Sequence, residues 1–71
     1  MPKLPIISAK KLITILEEKG FLIVSQRGSH IKLKRNGETI VVPNHKEIRK
    51  GTLKNILRML NMSVNELLRL P

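Results

Sequence analysis

The chain has 71 residues, with 14 Lys or Arg against 5 Asp or Glu, a net charge of +9 and no cysteine. Its length allows one domain spanning residues 1–71, near the lower limit at which one apolar core suffices, and the lack of cysteine excludes disulfide staples and thiolate metal centres. His30 and His45 are the only imidazoles, too few for a structural zinc site, and the excess of cations, spread through every segment, suits a polyanionic partner. The longest uninterrupted apolar run is Phe21 to Val24, far short of the roughly 18 residues that span a bilayer. Met1-Pro2-Lys3 opens no secretory leader, so the expectation is a cytoplasmic chain without a membrane partner.

In chain order, Ser8 is a good N-cap, and Ile7 and Leu12 take the two positions of a hydrophobic staple. Ala9, Leu12, Ile13 and Leu16 repeat at the spacing of one helical face and Gly20 follows as a stop, predicting a helix over about residues 9 to 19. Phe21-Leu22-Ile23-Val24 reads as a strand, and its unbroken apolar character predicts that it is central or well covered. Gly28 then permits a tight reversal into the alternating run His30-Ile31-Lys32-Leu33-Lys34. Asn36-Gly37 is a strong two-residue hairpin signal of type I′. A loop of that length fixes the register: Leu33 opposite Ile40 and Ile31 opposite Val42 on the buried face, with Lys32 opposite Val41, Lys34 opposite Thr39 and His30 opposite Pro43 on the other.

Beyond Pro43, Leu53, Ile56, Leu57 and Leu60 mark a second amphipathic helix over about residues 51 to 60, with Lys54 and Arg58 on its basic face and Asn61 at its end. Ser63-Val64-Asn65-Glu66 is a capping box, stapled by Met62 and Leu67, and predicts a short helix from about Val64 to Pro71. The order α-β-β-β-α(-α) defines an α+β fold of two layers: a three-stranded antiparallel sheet with helices on one face. The other face of the sheet is left open.

That open face carries the chemistry. If Ile31 and Leu33 point into the core, alternation puts His30, Lys32 and Lys34 together on the wet side. An imidazole, which exchanges protons near neutral pH, then stands beside cations that hold phosphate. Within Gln26-Arg27-Gly28-Ser29-His30, Gly28 is the turn residue, His30 the candidate base, and Arg27 and Ser29 join Lys32 and Lys34 as candidate phosphate contacts. Those residues taken alone also fit a strand-edge histidine among solubilising lysines. The pairing of His30 with Pro43 brings His45 near the same end of the sheet, where it is either a second acid or a loop histidine bonded to backbone.

The string Gly20-Phe21, Gln26-Arg27-Gly28-Ser29-His30, Val42-Pro43 with His45, Gly51-Thr52-Leu53 and Ile56-Leu57 resembles the HicA family of toxins over about residues 8 to 68. The resemblance implies a fold similar to double-stranded RNA-binding domains and ribosome-independent cleavage of mRNA. It also implies dependence on the histidine matching His30 and neutralisation by a HicB antitoxin. For that activity the ribose 2′-hydroxyl supplies the nucleophile, so the protein needs a proton acceptor and charge stabilisers but no cofactor and no metal.

Two further classes compete. A non-catalytic module gripping duplex RNA by shape and phosphate contacts would share the fold, but it gains nothing from a histidine where lysine or arginine would serve. A protein-interaction domain would draw on Ile23, Val41 and the tail Leu67-Leu68-Leu70, residues that otherwise belong to a small core. The single aromatic, Phe21, reads as core, which leaves no platform for stacking bases.

Overall fold

The structure, a computed structural model, describes residues 4–69. Helix α1 spans Ala9–Glu18, and the Ser8 side chain accepts a hydrogen bond from the Lys11 N–H at 3.1 Å, satisfying one of the orphan donors of the first turn. Ile7 and Leu12 are both buried, as the staple requires. At the other end Gly20 adopts φ +96°, the Phe21 N–H donates to the Leu16 carbonyl and the Gly20 N–H to the Glu17 carbonyl. This is a Schellman ending, and the left-handed residue explains the glycine. The buried stripe is Ala9, Leu12, Ile15 and Leu16, with Ile13 half-buried. Ile15 joins the expected face and belongs to the same buried cluster as Ile7 and Leu67.

Strands β1 (Leu22–Arg27), β2 (His30–Arg35) and β3 (Glu38–Pro43) form one antiparallel sheet in the order β1-β2-β3. Asn36 and Gly37 have φ of +46° and +86°, the signature of a type I′ turn, and every expected β2–β3 pair is present. Ile31, Leu33, Ile40 and Val42 point into the core from this pair, while His30, Lys32 and Lys34 face outward and are exposed.

The expectation for the first strand is overturned. β1 is an edge strand and all six of its residues are exposed, Leu22 at 68%, Ile23 at 50% and Val24 at 51%. Only Phe21, just before it, is fully enclosed. β2 is hairpin-linked to both neighbours and therefore takes the centre, which leaves β1 with one paired side. The β1–β2 ladder also slips between Ile23 and Ser25, so Val24 is an extra, bulged residue.

Helix α2 runs from Lys50 to Met59 and buries Leu53, Ile56 and Leu57. Asn61, at φ +55°, ends it in a second Schellman motif, with the Met62 N–H on the Leu57 carbonyl. Helix α3, Val64–Leu68, is capped by the Ser63 side chain, which accepts from the Glu66 N–H, and Met62 and Leu67 are buried as its staple. It is shorter than expected, because Arg69 is its C-cap; Leu70 and Pro71 lie outside the described residues. Phe21, Leu12, Leu16, Leu33, Ile40, Leu53 and Val42 are the largest fully enclosed side chains, drawn from the helices, the sheet and the residue just before β1. Among the described residues no helix is long and apolar enough to cross a membrane.

Candidate functional site

The hairpin between β1 and β2 sets the first row of the site. Arg27 pairs with His30 across the two-residue turn Gly28-Ser29, and Gly28 sits at φ +55°, the left-handed position that a primed turn demands of its first central residue. Gln26 Nε2 donates to the Gly28 carbonyl at 3.4 Å. On the far side of β2, His30 is opposite Pro43. Arg27, His30 and Pro43 thus form a cross-strand row, and Ser25, Lys32 and Val41 form the next one on the same outward face.

These rows enclose an open depression of about 420 Å³ lined by Ser25, Arg27, His30, Lys32 and Val41. All five are exposed, and no carboxylate lines it. It therefore presents an imidazole, a guanidinium, an ammonium and a hydroxyl around a small apolar patch. Such a set can accept a proton and hold an anion at one place. Among the described residues no group of three His, Cys, Asp or Glu side chains stands close enough to hold a metal ion.

Of the residues singled out from the sequence, His30, Arg27 and Lys32 are brought together. Lys34 lies on the same face one row further along, opposite Leu22 and Thr39, and does not line the depression. Ser29 contributes backbone: its carbonyl accepts the Asn44 N–H at 2.6 Å and ties the loop after β3 to the turn. His45 is also outside the depression. Its N–H donates to the Pro43 carbonyl at 2.8 Å, and its own carbonyl accepts the Ala9 N–H at 2.9 Å, so its backbone anchors the start of α1. Ser25 also lines the depression, although it is not among the residues singled out from the sequence. Counting back from a two-residue loop at Gly28-Ser29 puts Ser25 opposite Lys32, and that count was the available signal. Val41 was placed on the right face by the Asn36-Gly37 register without being assigned to the site.

Fold and face together define a small basic α+β domain with a cationic, histidine-bearing sheet surface open to a polyanion. The family described as HicA toxin of bacterial toxin-antitoxin matches residues 9–62, most of the chain, and the chain belongs to that family. Membership makes it the toxin member of a pair and implies a cognate antitoxin. No curated protein and no solved structure matches it. The matched span runs from the start of α1 to Met62 and leaves α3 outside, a shorter range than the resemblance in the sequence covers.

Proposed function

We infer that this toxin is a metal-independent, ribosome-independent endoribonuclease acting on mRNA, with His30 as its general base. The observation that carries this reading is an exposed imidazole directly across from Arg27 and one row from Lys32, all three lining the depression on the open sheet face. His30 takes the proton of a ribose 2′-hydroxyl, the 2′-oxygen bonds to the adjacent phosphorus, and the bond from phosphorus to the 5′-oxygen breaks. The products are a 2′,3′-cyclic phosphate and a 5′-hydroxyl. Arg27 and Lys32 stabilise the charge that builds on the phosphoryl oxygens, and the Ser25 hydroxyl, which lines the same depression, donates to one of them. His45 or a lysine supplies the proton to the leaving oxygen. A HicB-like antitoxin neutralises the toxin by covering this face.

The test is His30→Ala in a purified cleavage assay. Loss of a general base costs about 10²- to 10⁴-fold in rate, while folding is unaffected because the side chain is exposed. Wild-type cleavage by the folded variant would remove the catalytic assignment. A wild type that binds duplex RNA and cleaves nothing would return the domain to the class of binding modules.

A further inference from the structure

Helix α2 is poorly built as a helix. Its N-cap is Arg49, which makes no capping hydrogen bond, and its first turn contains no acidic residue but does contain Lys50. Cations there oppose the helix dipole. Lys50, Lys54 and Arg58 recur at every fourth position, all exposed, so like charges face one another along one row. The helix carries no carboxylate, and none of the three forms an ion pair among the described residues. Gly51 adds a further weakness at an exposed position where a methyl group would meet nothing. Each of these choices costs helix stability, and the packing of Leu53, Ile56 and Leu57 on the other face gains nothing from them.

We propose that this row is a second phosphate-binding surface, on which RNA leaving the His30 depression continues along α2. The proposal rests on the RNA-cleaving reading above. A path joins the two surfaces. The loop after β3 begins beside the site, where the Asn44 N–H bonds the Ser29 carbonyl, and reaches α2 six residues later, carrying exposed Lys46 and Arg49 on the way. Its course is held to the core by the Ile48 N–H on the Ile7 carbonyl and by the buried Ile48 side chain. From Lys50 to Arg58 the row extends about 12 Å along the helix, given a rise of about 1.5 Å per residue. A basic track thus leads from the cavity around one end of the sheet to the helical layer. RNA contacts on it are ionic and blind to sequence, since the row offers charges and no stacking ring. Length of RNA, more than its sequence, sets how many contacts form.

The experiment compares the wild type with the triple variant Lys50→Gln, Lys54→Gln, Arg58→Gln on single-stranded RNAs of about 4 and about 16 nucleotides, lengths that bracket the footprint of a small domain. The short RNA should be bound and cleaved alike by both proteins. The long RNA should bind the wild type more tightly, and the variant should lose that advantage, with a salt slope smaller by about 2, or roughly 0.7 for each of three contacts on a single strand. The variant should also melt at a higher temperature, because the repulsion is relieved. Equal affinity and slope for the long RNA would overturn the second surface and leave the cleavage reading standing. A wild type that binds neither RNA would overturn both. A variant that binds RNA normally but no longer binds the cognate antitoxin would assign the row to a protein partner instead.

Discussion

The guanidinium of Arg35 lies 4.5 Å from the centroid of the Phe21 ring. The same group donates from Nε and Nη2 to Glu38 Oε1, at 3.0 and 2.8 Å, and from Nη1 to the Lys19 carbonyl at 2.8 Å. One side chain therefore joins the C-terminus of α1, the only aromatic ring and the Asn36-Gly37 hairpin. Arg35 occupies an inward position of β2, but it stands at the rim of the core, where its charge is still hydrated and paired.

Arg35→Ala should lower the unfolding free energy by about 1–3 kcal/mol, the range for losing charge-assisted hydrogen bonds from a partly buried group. Arg35→Lys should recover little, since an ammonium cannot reproduce the planar fork. Urea titrations of the two variants check this; a lysine variant as stable as wild type would show that charge alone matters at this position.

Substitution should separate the first strand from the core. Leu22→Thr and Val24→Thr, both at exposed positions, should change stability by no more than about 0.5 kcal/mol, whereas Leu33→Ala should cost about 2–5 kcal/mol. For a domain of this size the second figure is comparable with the whole stability, so Leu33→Ala should be largely unfolded in thermal melts. Cooperative melting of Leu33→Ala near the wild-type temperature would contradict the placement of the core.

The contrast between these strands shows what the sequence could and could not reveal. β2 and β3 alternate and are joined by a loop whose length permits a single register, so each of their pairs was legible from Asn36 and Gly37 outward. β1 does not alternate. A run of four apolar residues says that burial is favourable without saying where in the sheet the strand lies, and the bulge at Val24 removes the phase information that alternation supplies. The His30 face followed directly from alternation in β2, but the lining role of Ser25 depended on the β1 register and was hidden with it. The contact of Arg35 with Phe21 joins residues whose relation is set by the ending of α1, and no local pattern announces it.

RNA cleavage should survive EDTA and yield 2′,3′-cyclic phosphate ends. The five carboxylates Glu17, Glu18, Glu38, Glu47 and Glu66 are scattered, and among the described residues no ligand cluster exists. Activity that disappears on chelation and returns with magnesium would refute the proposed chemistry.

Lys32 and Lys34 should be separable by kinetics. Replacing either with glutamine should flatten the dependence of log K on log salt by roughly 0.7, as for one phosphate contact on a single strand. Only Lys32→Gln should also lower kcat substantially, because Lys32 lines the depression and Lys34 stands a row away. Equal losses of kcat in the two variants would place the scissile phosphate between the rows.

Gly28→Ala should impair catalysis more than folding. A side chain at φ +55° in this turn is strained, by about 1 kcal/mol for a left-handed residue, and relief of the strain shifts Arg27 and His30, which flank the turn. Circular dichroism with parallel cleavage rates distinguishes the two effects, and an alanine variant with unaltered kcat would show that the turn tolerates a Cβ.

The slip at Val24 makes that residue structurally removable. Deleting it would leave Arg27 opposite His30, Gln26 opposite Ile31, Ser25 opposite Lys32, Ile23 opposite Leu33 and Leu22 opposite Lys34, every partnership as it is now, in an uninterrupted ladder. The first strand can therefore differ in length by one residue without altering which side chains reach the depression, and what the extra residue contributes is local coiling of the hairpin arm.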